Sequence, residues 1–284
     1  MINVTKPFLP PFAEVVQSLE EIWDSGWLSN GGPFHQQLEQ GLADYLGVPY
    51  VSLFCNATIA LITAQQALGV DGEVITTPYS FVATTHALHW MRNTPVFVDV
   101  EEDSLSIDPA KIEDAITPRT AAIMPLHCYG NTCDVAAIEG IAKRHKIPVI
   151  YDACHSFGVT DSGGSVLRHG DISVVSFHAT KVFNTFEGGL LVSPTQEMKR
   201  RVDHLKNFGF VDETTVIEPG MNGKMSEFNA MLGQHQLKHM PEILASRGQR
   251  DQRYRELLSR VDGIHCQRPI RQSQRNYAYF PIFV

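Results

Sequence analysis

Short apolar runs alternate along this chain with helix-length stretches whose apolar residues recur every three or four positions. Positions 50–54, 73–76, 95–100, 121–126, 147–151, 172–177 and 190–192 read as strands, each rich in apolar and β-branched residues. Between them, 59–68 reads as a helix. Asp134 can cap another that runs to about Lys146, with Val135, Ile138, Ile141 and Ala142 on one face. Strands apolar on both faces and separated by helices predict an α/β fold, a mostly parallel central sheet sandwiched by helices. From 226 the pattern reads as long helix, with Phe228, Met231, Leu232 and Leu237 in a stripe that the charged stretch 247–260 continues. The last residues, 277–284, read as a strand that no later residue can partner. The expected division is therefore a large domain over 1–238 and, over 239–284, the start of a smaller α+β domain inside which the sequence ends.

Composition narrows the function classes. With 284 residues, 43% hydrophobic and 19% charged, the chain is ordinary globular material, which excludes disordered, collagenous and coiled-coil readings. A net charge of −8 repels nucleic-acid backbones at long range, yet still permits a small phosphorylated ligand held by backbone N–H groups. The five cysteines (55, 128, 133, 154 and 266) are odd in number and scattered, which suggests a reducing compartment rather than a disulfide framework. Cys128 and Cys133, beside His127, lack the second ligand pair that zinc would want, so no metal is expected. The opening MINVTKPFLPPF has neither the basic nor the apolar segment of a leader, and no run approaches the roughly 18 apolar residues of a membrane span. A cytoplasmic protein is expected, with no membrane and no nucleic-acid partner.

Candidate chemistry lies in three loops, each after a predicted strand. Ligands of open α/β sheets sit at the carboxyl ends of strands, so the three loops should face one crevice. The first, Cys55-Asn56-Ala57-Thr58, opens a helix: small residues and free N–H groups suit a phosphate, although Asn56 or Thr58 could equally be a plain helix cap. The second, Tyr151-Asp152-Ala153-Cys154-His155, places a carboxylate at the end of the most apolar strand. There it could hold a protonated ring nitrogen or accept N–H groups of its own loop. The third, Ser176 through Lys181, brings a lysine that is a surface cation if it reaches water and a nucleophilic amine if it enters a closed crevice. Together the three supply what pyridoxal phosphate needs: a phosphate cradle, a ring-nitrogen carboxylate and an imine-forming lysine. The sequence contains no G-x-G-x-x-G, no G-x-x-x-x-G-K-[ST], no H-E-x-x-H and no G-x-S-x-G.

Several ordered blocks then carry a resemblance. They are Trp27-Leu28-Ser29, Asn56-Ala57-Thr58, Thr77 through Thr84 (TPYSFVAT), Pro125 through Gly130 (PLHCYG), Tyr151 through His155 (YDACH), Ser176 through Lys181 (SFHATK) and Asn222 through Glu227 (NGKMSE). In this order and spacing, from Pro7 to the end, the chain resembles the DegT/StrS-type nucleotide-sugar aminotransferases, which share the aspartate aminotransferase fold. The resemblance implies a pyridoxal 5′-phosphate enzyme in which Lys181 binds the cofactor covalently and Asp152 pairs with its ring nitrogen. By the same resemblance Phe81 stacks on the ring, and Ala57, Thr58 and Ser176 hold the phosphate. His155 stands where many relatives carry glutamine, near the phenolic oxygen. Asn207, in Lys206-Asn207-Phe208-Gly209, resembles an asparagine that reaches the neighbouring subunit's cofactor, which implies a homodimer with shared sites. The His178-to-Asn184 segment is most similar to enzymes that aminate a dTDP-4-keto-6-deoxy sugar at C4 with L-glutamate for surface polysaccharide. C3-specific enzymes, UDP-sugar enzymes and a non-catalytic cofactor-binding relative are the alternatives. Arg168, Arg200, Arg201 and Lys206 are candidates for the sugar diphosphate by charge alone, and Trp27 and Tyr79 for the sugar itself.

Overall fold

The computed structural model describes residues 5–268 and 270–284. The reading of the leader falls partly on residues 1–4, outside the described residues. Seven strands build the centre: β1 (Tyr50–Phe54), β2 (Glu73–Thr76), β3 (Thr94–Phe97), β4 (Thr120–Ile123), β5 (Ile150–Asp152), β6 (Ile172–Ser176) and β7 (Gly189–Ser193). One sheet runs β3-β2-β4, all parallel, and the other β5-β6-β7-β1. Single parallel bridges, Ile123 to Val149 and Leu126 to Asp152, join the two. β5 and β6 are parallel, while β7 runs antiparallel to both β6 and β1. The expected mostly parallel sheet is therefore present, with β7 reversed.

Strand burial explains the apolar runs. Ile150 and Val174 pack into the cluster under helix α3 (Ala57–Ala67). Their neighbours face the other way, Tyr151 into the cluster under α5 (Val135–His145) and Val175 into the one around α2 (Pro33–Leu46). Alternate side chains thus enter different cores, and each buried aliphatic side chain contributes about 1.5–3 kcal/mol. α3 is apolar around most of its circumference and is correspondingly buried, with Ala60, Leu61 and Ala64 at 0% exposure. α5 behaves as expected: Asp134 accepts from the Ala137 N–H at 3.0 Å, and Lys146 ends the helix in a left-handed conformation.

Two expectations are corrected beyond residue 226. The long helix is two helices, α7 (Glu227–Lys238) and α8 (Met240–Leu258), because Pro241 cannot continue α7's hydrogen bonds but suits the first turn of a new helix. The strand expected over 277–284 shrinks to Ile282–Phe283, which pairs with His265–Cys266. Tyr277 has φ +54°, which no strand tolerates, and Arg247 takes up the Tyr277 and Ala278 carbonyls at 3.0 and 3.3 Å. Residues 271–280 form a strap across the sheet's carboxyl edge. Among the described residues no helix is long and apolar enough to cross a membrane.

Candidate active site

Strands β1, β2, β5 and β6 point the same way, so their carboxyl ends open on one edge. A cavity of about 670 Å³ lies there, and it is lined by residues of all three loops picked out in the sequence. Its size and mixed lining suit a small organic ligand.

Asp152 ends β5 at the cavity wall, only 3% exposed. Its backbone is held on both sides: its N–H donates to the Pro125 carbonyl at 2.9 Å, and its carbonyl accepts from the His127 N–H at 3.1 Å. Its carboxylate accepts from the Thr84 hydroxyl at 2.7 Å and from the Cys154 N–H at 3.1 Å. Thr84, in α4 (Val82–Trp90), is itself braced by Ser80 Oγ at 2.6 Å. The carboxylate is thus fixed in direction, with lone pairs to spare for a ligand in the cavity.

Opposite, Asn56 caps α3 by accepting the Ile59 N–H at 2.9 Å. That leaves the N–H groups of Ala57 and Thr58, both at the cavity, without partners inside the helix. Gly189 permits this approach: a Cβ there would lie 2.7 Å from the Asn56 carbonyl carbon and 2.8 Å from Ala57 N. Ser176, at the end of β6, brings a hydroxyl to the same wall. This is a ready anion site at a helix N-terminus.

Lys181 follows Ser176 and also lines the cavity. Its Nζ donates to the Tyr279 hydroxyl at 3.5 Å and lies 5.7 Å from that ring's centre. His155 lies beside it. Burial, and then the Lys181 charge, push its imidazole down to about 4 against the pull of Asp152, so it is neutral at neutral pH. Its Nδ1 accepts the Tyr129 N–H at 3.2 Å, which places the ring proton of the neutral form on Nε2. Tyr129 stacks on His155 with ring centres 5.9 Å apart, and its hydroxyl meets that of Tyr79 at 3.0 Å. Burial, and then the Asp152 charge, raise the Cys154 thiol well above its usual range, so it is not a competing nucleophile.

Of the residues expected at the site, Ala57, Thr58, Phe81, Asp152, His155, Ser176 and Lys181 line this one cavity, and so does Tyr79. Phe81 is 71% exposed at the rim, an aromatic face with little of its own chain to cover it. Asn207 does not line the cavity; its Oδ1 accepts from Lys224 Nζ at 2.8 Å. Trp27 is also absent from the lining, and its Nε1 donates to the Ser29 carbonyl at 2.6 Å. Three of the candidate cations form ion pairs away from the cavity: Arg168 with Asp161 at 2.6 Å, Arg201 with Glu218 at 3.2 Å, and Lys206 with Asp203 at 2.8 Å. Sequence reasoning gave no role to Thr84 or Tyr279. Thr84 carried a signal, a hydroxyl in the first turn of a helix opening on the same edge. Tyr279 carried none, because it lay in a stretch read as strand.

Residues 12–284 match the sequence profile of the DegT/DnrJ/EryC1/StrS aminotransferase family. The dTDP-4-amino-4,6-dideoxy-D-glucose transaminase of Shigella dysenteriae is 57% identical over 283 residues, which cover 100% of this chain and 77% of that protein. DesI, solved in the presence of its TDP-sugar product, superposes with a TM-score of 0.94 at 35% identity, over 99% of this chain and 72% of its own. NtdA of Bacillus subtilis, solved with bound cofactor PMP, superposes with a TM-score of 0.88 at 30% identity, over 99% of this chain and 67% of its own.

Proposed function

Because this chain belongs to the DegT/DnrJ/EryC1/StrS aminotransferase family, we propose that it moves an amino group from L-glutamate to C4 of dTDP-4-keto-6-deoxy-D-glucose. Its cofactor is pyridoxal 5′-phosphate. The residues fit that group: free N–H groups at the start of α3 for a phosphate, a buried, hydrogen-bonded carboxylate for a ring nitrogen, and an amine lining the same cavity. When bound, pyridoxal phosphate supplies a protonated ring that takes up the electron pair left by a broken substrate C–H bond.

In this reading the chain's own groups do the rest. Ala57, Thr58 and Ser176 bind the phosphate, and Phe81 covers one face of the ring. Asp152, aimed by Thr84 and the Cys154 N–H, keeps the ring nitrogen protonated. His155, neutral, offers Nε2–H toward the phenolic oxygen. Lys181 would hold the cofactor through Nζ, and when that amine is free it would accept on Nζ the proton that leaves the substrate carbon. Because one cavity would have to serve glutamate and then the keto sugar in turn, ping-pong kinetics are expected. The working unit in this reading is a homodimer in which Asn207 serves the partner's site. Residues 1–238 form the cofactor-binding unit and 239–284 belong to a second, smaller one.

The observation that carries the reading is the meeting of Lys181, Asp152 and the α3 N-terminus at one cavity. The test supplies the chain with pyridoxal phosphate, glutamate and a panel of dTDP- and UDP-keto sugars, and follows amino-sugar formation by mass spectrometry. The dTDP-4-keto sugar should be aminated fastest, and Lys181→Ala should lose turnover and the bound cofactor's visible absorbance. Cofactor binding without amination of any sugar would identify a non-catalytic relative, and a UDP-sugar preference would overturn the substrate assignment.

A further inference from the structure

We propose that Tyr279 is a positioning residue for Lys181, holding the lysine amine at the cavity wall whenever it is not bonded to another group. The proposal rests on the role given to Lys181 above. Tyr279 Oη is the polar side-chain atom that Lys181 Nζ meets among the described residues, at 3.5 Å. A phenol suits an amine that must change state: it accepts a hydrogen bond from an ammonium and donates one to a neutral amine. A carboxylate in its place would pair with the ammonium and resist its release.

The phenol's place is built from outside the sheet. Asn276, 2% exposed, donates to the His155 and Phe157 carbonyls at 2.8 and 2.9 Å, and its own Oδ1 accepts the Ala278 N–H at 3.1 Å. Gly130, with φ +83°, makes room, since a Cβ there would lie 2.9 Å from Asn276 Oδ1. Arg247 grips the Tyr277 and Ala278 carbonyls. The Tyr279 ring then stands edge-on to His155, with centres 4.9 Å apart at 66°, and tilts against Tyr129 at 5.5 Å and 58°. These contacts fix the ring, and the ring aims the hydroxyl at Nζ.

The test compares Tyr279→Phe, which keeps the ring and its packing, with the unaltered chain. In cofactor-free protein, competitive acylation across pH with peptide mapping reads how readily Lys181 reacts. The hydroxyl holds the amine at the cavity wall, so losing it should change the Lys181 acylation rate at least about twofold over this range. In cofactor-loaded protein, the single-turnover reaction with glutamate should slow about tenfold, with the glutamate concentration for half-maximal rate changed less than twofold. Unchanged acylation of Lys181 together with an unchanged single-turnover rate overturns the proposal. Lys181→Ala separates the two readings. If that variant keeps full turnover, the assigned function and the role of Tyr279 fall together. If it is inactive while Tyr279→Phe matches the unaltered chain, only the role of Tyr279 falls.

Discussion

Asp152 and Tyr279 face the same cavity, yet they are held there by different means. Asp152 ends a sheet strand, with backbone bonds to the residues on either side of Leu126 and both faces of the strand buried. Tyr279 belongs to no ladder. Its strap has backbone bonds to Thr160 at Ser273 and Gln274, and nearer Tyr279 it is held by side chains: Asn276 and Arg247 on backbone carbonyls, a two-pronged Arg275–Asp251 pair at 3.1 Å, and, at its start, a two-pronged Arg271–Glu101 pair at 2.9 Å. A group carried by the sheet inherits the sheet's rigidity. A group carried by ion pairs inherits their dependence on charge, and belongs to the part of the molecule that opens at lower free energy.

The largest effect should come from the sheet side. Asp152→Asn leaves the Thr84 hydroxyl and the Cys154 N–H facing an amide that lacks the charge proposed to pair with the ring nitrogen. Turnover should drop on the order of 10²–10³-fold while the melting temperature barely changes. Stopped-flow reduction of the cofactor absorbance by glutamate measures this, and a rate within twofold of the parent would remove Asp152 from its role.

The strap should fail differently. Asp251→Ala leaves Arg255 and Arg275 close together without their shared carboxylate. We expect a loss of about 2 kcal/mol in urea unfolding, with faster hydrogen exchange concentrated at 270–280. Turnover should fall less than for Asp152→Asn. Acid should reproduce part of this in the unaltered chain. Burial works against ionisation of Asp251, but the hydrogen bonds and charges of Arg255 and Arg275 outweigh it and hold the carboxyl below its usual range. A lowered folded value means that the stabilisation is complete above the unfolded carboxyl's value of about 3.9 and is lost as pH falls through the folded one. Strap protection that ignores acidification from pH 5 to pH 3 would show that other contacts hold it.

The same contrast explains what could be read from the sequence. The strand at 50–54 matches β1 and that at 73–76 matches β2, because burial on both faces leaves a continuous apolar run. The helix expected over 59–68 starts two residues earlier, at Ala57, since its cap is Asn56 rather than Thr58. That Ala57, Asp152, Ser176 and Lys181 meet at one cavity is legible because each sits at or just beyond a strand's carboxyl end. The strap left no such trace. Arg271, Arg275 and Asn276 find Glu101, Asp251 and the His155 carbonyl across long stretches of chain, and no periodicity encodes those pairings. Ion pairs also took Arg168, Arg201 and Lys206 out of consideration for the cavity, which charge alone could not foretell.

Asp134 gives the smallest and sharpest test, because it belongs to both regions. One oxygen caps α5 through the Ala137 N–H at 3.0 Å, and the other lies 3.6 Å from Arg271 in the strap. Asp134→Ala removes both contacts and should cost about 1 kcal/mol, nearly all of it from the cap. Asp134→Asn keeps an oxygen for the cap and removes only the charge. The pair with Arg271 is long and partly exposed, and such pairs contribute at most about 1 kcal/mol. The Asn variant should therefore unfold within a few tenths of a kcal/mol of the parent, yet exchange faster at 270–280 than within α5. If α5 and the strap loosen together in both variants, the strap is not a separately held region, and the distinction between the two walls of the cavity fails with it.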